Sequence, residues 1–288
     1  MGYRSVFRPG LFDGQIIIVT GGGSGIGRCT AHELAALGAT VMLIGRKSEK
    51  LETVRQEIEA SGGRAKCYVC DIRLEELVRE TVGKILAKHD RIDGLVNNAG
   101  GQFPALIKDI SLKGWDAVVR NNLHGGFIFA RECYTQTMEQ RGGAIVNIVA
   151  DLWGGMPTMA HTGAARAGML NFTESAACEW GTSGVRVNAV APGWIASSGF
   201  DTYDETMKEK LRKLPKKVPL QRYGTESEVA AAIVFLLSEA AAYITGSCIR
   251  VDGGVPNARP TYDLPEHSRS RPYEGFHLAV PPKMLSEG

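Results

Sequence analysis

The chain has 288 residues, 44% of them hydrophobic, which is enough to bury one large α/β core. Its 33 basic and 31 acidic residues nearly cancel, so nothing in the global charge points to a nucleic acid, an anionic membrane or a polyacidic partner. No apolar run approaches the roughly 18 residues of a membrane span, and no charged-then-apolar leader precedes the scattered Cys29, Cys67, Cys70, Cys133, Cys178 and Cys248, so free thiols in a reducing cytoplasm are expected.

Along the chain, short apolar runs predict strands at Ile16–Val19, Thr40–Ile44, Ala65–Cys70, Gly94–Val96, Ala144–Ile148, Arg186–Val190 and Cys248–Val251. Amphipathic stretches between them predict helices at Gly25–Leu37, Ser48–Ser61, Leu74–His89, Lys113–Glu139, Gly163–Thr182 and Glu226–Leu237. This alternation predicts a single α/β domain over 1–256, a doubly wound seven-stranded parallel sheet with helices on both faces. Cys67 and Cys70 form a CxxC, but within a strand their odd spacing aims them at opposite faces, as core thiols. Residues 195–222, rich in Ser, Lys and Pro after the sixth strand, read as a mobile substrate flap with short helices. The polar tail 257–288, with Pro260, Pro265, Pro272, Pro281 and Pro282, is expected either to be disordered or to dock across a neighbouring surface. Its end, Leu285-Ser286-Glu287-Gly288, is no peroxisomal address. The histidines show no metal-ligand spacing and no carboxylate cluster suits a divalent ion, so no metal is expected.

Thr20-Gly21-Gly22-Gly23-Ser24-Gly25-Ile26-Gly27 lies between the first strand and the first helix, where a glycine cluster binds a dinucleotide in a Rossmann fold. Gly21 would let the chain turn, Gly25 would let backbone N–H groups approach a pyrophosphate, and Gly27 would let helix pack on strand. The second strand ends in Gly45-Arg46-Lys47 rather than in the carboxylate that receives the ribose hydroxyls of NAD. Arg46 and Lys47 are either a solvated pair of charges or the site of a 2′-phosphate, and the fork of Arg46 favours the phosphate, hence NADP(H).

With Asn97-Asn98-Ala99-Gly100 after the fourth strand, Asn122 in a long helix and Pro192-Gly193 after the sixth strand, these residues resemble the short-chain dehydrogenase/reductase superfamily over roughly residues 12–254. The resemblance implies that Asp71 and Ile72 flank the adenine, that Asn97 meets the adenosine ribose, and that Asn122 holds the catalytic asparagine position. It also assigns Ser24, Ile26, Asn98, Ala99, Gly100, Pro192 and Gly193 to the cofactor site, and Ile195 and Ser197 to the nicotinamide carboxamide. A homotetramer is the implied assembly, which the apolar run Ala230–Leu237 and the strand Cys248–Val251 would serve as subunit contacts.

The superfamily's Tyr-x-x-x-Lys pair is not intact. In His161-Thr162-Gly163-Ala164-Ala165-Arg166-Ala167-Gly168, Thr162 stands at the tyrosine position and Arg166 at the lysine position. This segment, with Gly100-Gly101-Gln102-Phe103 and the tail's Tyr262-Asp263-Leu264-Pro265-Glu266-His267, resembles the peroxisomal trans-2-enoyl-CoA reductases. The 2,4-dienoyl-CoA reductases and the bacterial citronellol or citronellal dehydrogenases are similar too. In the dienoyl enzymes a tyrosine precedes the active-site lysine by fifteen residues; Asp151 holds that position here, and Thr162 matches their active-site serine.

Reducing a ketone makes an alkoxide that needs a tuned acid such as tyrosine. Reducing the 2,3 double bond of an enoyl-CoA thioester instead spreads charge onto the thioester oxygen, where fixed donors can hold it while water protonates carbon. Asn122, Thr162, Arg166 and Asp151 are therefore the catalytic candidates. Thr162 either donates to that oxygen or caps the following helix; Asp151 either orients a water or shapes the turn before Leu152-Trp153-Gly154-Gly155. Arg166 holds the nicotinamide ribose as a permanent cation or is an exposed helix residue, and His161 is a weaker candidate. Trp194, Ile195 and Phe200 would give an apolar substrate cleft. The expected function is NADP(H)-dependent reduction of an acyl-CoA thioester. The alternatives are a terpenoid alcohol dehydrogenase and a silent NADP(H) sensor, the last suggested only by the missing tyrosine.

Overall fold

The structure, a computed structural model, describes residues 2–202, 204–259 and 261–286. All seven apolar runs form strands: β1 (Ile16–Thr20), β2 (Thr40–Gly45), β3 (Arg64–Val69), β4 (Gly94–Asn97), β5 (Gly143–Ile148), β6 (Val185–Pro192) and β7 (Cys248–Val251). They pair in parallel in the order β3-β2-β1-β4-β5-β6-β7, with Val19 of β1 level with Leu43 of β2 on one side and Val96 of β4 on the other. Winding reverses between β1 and β4, and the crevice such a reversal opens lies beyond the strands' carboxyl ends.

Alternation along β1 explains the two cores. Ile17 and Val19 face a layer built with α1 (Gly25–Ala36), α2 (Ser48–Ala60) and α9 (Glu226–Leu237). Ile16 and Ile18 face the opposite layer, with α3 (Glu75–His89), α5 (Gly125–Cys133) and α7 (Ala160–Trp180). Cys67 and Cys70 contribute to opposite layers and are free thiols, although Cys70 lies just past the end of β3. Among the described residues, no helix is long and apolar enough to cross a membrane.

Two expectations need correction, and two are sharpened. The long helix over Lys113–Glu139 is three helical stretches, α4 (Leu112–Val119), α5 and α6 (Glu139–Arg141), joined by widened π turns at Arg120–His124 and Tyr134–Met138. Helix α7 starts at Ala160 rather than Gly163, because the ring Nδ1 of His161 accepts the Thr162 N–H at 2.9 Å and stabilises the first turn. Of the run Ala230–Leu237, Ala230, Ile233, Val234, Leu236 and Leu237 are buried inside this chain, which leaves Ala231, Ala232 and Phe235 part-exposed on the outer side of the helix. Of the two fates left open for the tail, its described part takes docking: it folds back across the chain's own body.

Tail residue Phe276 is buried against Cys29 and Ala230, and its N–H donates to Ser227 Oγ at 3.0 Å. Arg4 N donates to Gly275 O at 2.9 Å, and Tyr273 Oη donates back to Arg4 O at 2.6 Å, so both chain ends cross the same face of α1. Further along, the short α10 (Lys283–Ser286) sits on the 195–222 segment, which carries a 3₁₀ turn at Ser198–Thr202 and α8 (Glu205–Lys213).

Candidate active site

The glycine loop leaves β1 with Gly21 at φ +67°, where a side chain would be strained; a Cβ there would also come within 2.8 Å of Asn98 Nδ2 and 3.0 Å of Ala99 Cα. A Cβ on Gly27 would collide with the Gly21 carbonyl, so helix α1 packs on the loop only because this position is bare. Above Gly25 the nearest atom to such a Cβ, Glu226 Oε1, is 3.9 Å away, leaving open space in front of the first N–H groups of α1. Ser24, the exposed residue before that helix, makes no side-chain cap, and Ile26 lines the neighbouring cleft. Bare backbone, a helix N-terminus and exposed Arg46 and Lys47 at the end of β2 fit the pyrophosphate and 2′-phosphate of a dinucleotide.

Several side chains assigned to the cofactor brace the cradle instead. Asn98 Nδ2 donates to Thr20 O at 3.0 Å, while Thr20 Oγ1 accepts from Asn98 N and Ala99 N, each at 3.0 Å, stitching β1 to β4. Asn97 turns inward: its Nδ2 donates to Gly126 O and to Asn147 Oδ1, while its Oδ1 is buried without a partner. Ile72 is buried in the second core and packs tightly on Gly125. Asp71 is gripped by Arg73 at 2.5 and 2.8 Å, and that pairing, helped by the charge of Arg46, holds its carboxyl below the usual range. Sequence reasoning missed Arg73, whose two-residue spacing from Asp71 was the available signal.

Beyond β5, Arg166, Gly100 and Asn122 come together. Arg166, on α7, reaches under the strand end, where Nη1 donates to Ile148 O at 2.5 Å. Nη2 lies so close to Gly100 that a Cβ there would collide with it and with Asn122 Oδ1. No carboxylate among the described residues pairs with this guanidinium. Burial lowers its pKa to about 10, which leaves it cationic at neutral pH. Arg166 is thus not the exposed helix residue of the blander expectation. Asn122 Nδ2 donates to Gly101 O at 2.7 Å and to Val118 O at 3.0 Å, and Oδ1 accepts from Gly101 N at 3.2 Å. With its hydrogen bonds so committed, the Asn122 side chain positions the loop after β4 and the π turn rather than facing a substrate.

Thr162 lies within the first turn of α7, after the cap position Met159, so it is not the cap that its sequence context allowed. Its hydroxyl is buried and without a partner, as is Nε2 of His161, whose ring stands edge-on to Phe103 at 4.6 Å. Asp151 lines the cleft on the turn after β5, with Oδ1 buried and unpartnered. Burial first, then the charge of Asp252, push its carboxyl up, against the opposing pull of Arg250 and the Trp153 N–H. Asp252 went unmarked in the sequence, though a carboxylate directly after the last strand was a usable signal. Its own Oδ2 is buried without a hydrogen bond, 3.8 Å from Arg250 Nε.

The cleft has a volume of about 550 Å³. Met156, Met159, Trp194, Ile195, Phe200 and Met207 give it apolar walls, and Gln102, Asp151 and Ser197 supply polar groups. No tyrosine lines it; Tyr203 lies outside the described residues. Pro192 and Gly193 form its floor at the end of β6, and Ile195 bridges to Gly224.

Comparison with known proteins sets this geometry among relatives. A family model described as Enoyl-(Acyl carrier protein) reductase matches residues 21–256. A 2,4-dienoyl-CoA reductase, (2E)-enoyl-CoA-producing, of Bacillus subtilis strain 168 is 38% identical over 244 residues, covering 83% of this chain and 96% of that protein. The solved structure of a citronellol catabolism dehydrogenase, AtuB, of Pseudomonas aeruginosa PAO1 is 59% identical, with a TM-score of 0.80 over 88% of this chain and all of that one. An NAD(P)-dependent protein of Beutenbergia cavernae, solved with NADP bound at low occupancy, is 33% identical with a TM-score of 0.81, covering 87% of this chain and 100% of that one.

Proposed function

This chain belongs to the short-chain dehydrogenase/reductase family and is an oxidoreductase, and we propose that it is the NADP(H)-dependent reductase of the 2,3 double bond of an enoyl-CoA thioester. The silent sensor falls away with the family assignment. The observation that carries the reading is a pair one helical turn apart on α7, close behind the cleft wall at Met159: a half-buried Arg166 with no carboxylate partner and a buried, partnerless Thr162 hydroxyl, with no tyrosine among the described residues of the cleft lining. Such a site offers fixed hydrogen bonds and charge to a developing enolate, and its described residues include no phenol of the kind that ketone reduction requires.

The bound dinucleotide supplies the hydride. Gly21, Gly25 and Gly27 with the start of α1 hold its pyrophosphate, Arg46 and Lys47 select the 2′-phosphate, and Arg166 steadies the nicotinamide end. Thr162 Oγ1 donates to the thioester oxygen as charge collects there. Asp151, whose carboxyl burial and the charge of Asp252 push up, holds the water that protonates the α-carbon. Asn122 fixes the loop against which Arg166 rests.

A second reading, oxidation of a terpenoid alcohol such as citronellol, is favoured by the relative of 59% identity and by the same apolar walls. The deciding experiment is steady-state NADPH oxidation with a panel of 2-enoyl-CoA esters beside citronellal, repeated with NADH. Turnover of the thioesters with NADPH is expected; rapid oxidation of citronellol with NADP⁺ and none of the thioesters would transfer the assignment to the second reading. We further infer a cytoplasmic homotetramer, a reducing compartment being supported by six free cysteines and assembly by the half-exposed edge strand β7. A 31 kDa species in sedimentation would remove the tetramer.

A further inference from the structure

The tail ends against the outer side of the substrate cleft. Met284 is 3% exposed and packs in one apolar cluster with Phe200 and Leu211, to which Trp194, Met207, Tyr223 and Leu285 also belong. Of these, Trp194, Phe200 and Met207 present themselves to the cleft. The same cluster therefore has a substrate side and a tail side, with Phe200 between them.

The tail is held there by specific bonds. The Asp201 carboxylate, one residue after Phe200, accepts the N–H groups of Lys283 and Met284 through its two oxygens, each at 3.2 Å. Arg212 Nε, on α8, donates to Met284 O at 3.3 Å. Phe200 is itself braced on its other flank by Tyr223, with ring centroids 5.2 Å apart, and the Tyr223 hydroxyl donates to the Leu211 carbonyl. Upstream, Arg222 clamps Glu228 and Ser270 and reaches Arg271 O, and Phe276 is sunk between Cys29 and Ala230. The strap is thus anchored on the body at one end and on the cleft wall at the other.

We propose that Met284 is a specificity-determining positioning residue: from behind, it fixes Phe200, and with it the apolar wall along which the distal part of the substrate's chain lies. Phe200 has no β-sheet or long helix to hold it, only a 3₁₀ turn, so its place depends on the side chains packed around it. A long chain would bury its far methylenes on that wall, whereas a four-carbon acyl group ends nearer the reacting carbons.

The choice of substrates rests on the enoyl thioester reading. With NADPH, kcat and KM are measured for trans-2-butenoyl-CoA and trans-2-decenoyl-CoA in the wild type, Met284→Ala, Met284→Leu and Asp201→Ala. Met284→Ala is expected to raise KM for the ten-carbon substrate about tenfold, the value of roughly two methylene contacts. It should leave KM for the four-carbon substrate, kcat and NADPH affinity unchanged, and Met284→Leu should restore the ratio. Asp201→Ala releases the tail without touching the cleft side chains and should move the ratio the same way. An unchanged ratio in both Met284→Ala and Asp201→Ala, in proteins that bind NADPH and melt cooperatively, overturns the proposal. If the wild type turns over neither thioester, the functional reading has failed by itself, and the ratio is read on citronellal against a four-carbon aldehyde.

Discussion

Around β1 and β4, Thr20 and Asn98 already bond to protein and hold two strand ends and the glycine loop in one piece. Beyond β5 and β6 the opposite holds. Thr162, His161, Asp151 and Asp252 each keep a buried polar atom without a hydrogen bond, and Arg166 keeps an unpaired charge. Buried polar atoms are ordinarily paired, and leaving one unpaired costs about 1–3 kcal/mol. One half presents backbone and, Asn97 Oδ1 apart, is finished before any ligand arrives; the other leaves most of its orphaned polar groups to what it binds. Changes in the first half should therefore register in cofactor affinity and changes in the second in turnover.

The largest effect should come from Thr162→Val, which deletes one donor at nearly constant shape. Loss of a single oxyanion donor lowers turnover on the order of 100- to 1000-fold, and NADPH affinity should stay nearly intact. Pre-steady-state NADPH oxidation with a 2-enoyl-CoA reads the hydride step directly. Normal turnover in this variant would erase the contrast between the halves.

A smaller and opposite signature is expected from Arg46→Asp. A hydrogen bond to a charged group contributes about 1.5–3 kcal/mol, so NADPH should bind roughly 10- to 100-fold more weakly, with NADH now preferred and kcat at saturating cofactor preserved. Titration of both dinucleotides into both proteins checks this. Equal affinity of the native protein for NADPH and NADH would remove Arg46 and Lys47 from the 2′-phosphate site.

The smallest effect belongs to neither half. Glu33 is fully buried on α1, accepting hydrogen bonds from Tyr3 and Ser5, and burial outweighs those bonds to hold its pKa at about 7. In the unfolded chain it ionises near the ordinary carboxylate value. The folded state therefore binds the extra proton between those two points, and the contribution of Glu33 to stability falls as pH rises from about 4.5 to 7. Glu33→Gln has no proton to lose, and His32 titrates alike in both proteins. The stability difference should turn towards the variant across that window, by roughly 1–3 kcal/mol at about 1.4 per pKa unit, and stay flat above it. Denaturant midpoints at pH 4.5, 6 and 8 test this; a difference independent of pH would show that Glu33 is ionised throughout.

How much of this could be read in the sequence divides along similar lines. Strands show because alternate faces demand apolar residues: Ile16–Thr20 is buried along its whole length and reads so. The glycine loop shows because backbone geometry itself restricts residue choice. The π turn at Arg120–His124 did not show, since it depends on Asn122 bonding to Gly101 and Val118 rather than on helical periodicity. The start of α7 was hidden because a histidine ring makes the contact that Ser, Thr or Asp usually makes. Docking was one of the two fates expected of the tail, but where it docks was invisible, because Phe276 and Met284 find partners more than 40 residues away in the chain.

The sunken Phe276 has one more consequence. It roofs over Cys29, a fully buried thiol that burial also pushes well above its usual pKa and that Tyr3 covers at 3.7 Å. Cys178, by contrast, stands exposed on α7. An alkylating reagent would thus meet one thiol at once and the other only in moments when the roof is off. In a peptide map, the ratio of the two adducts becomes a clock that the molecule carries within itself, counting how often its two ends let go.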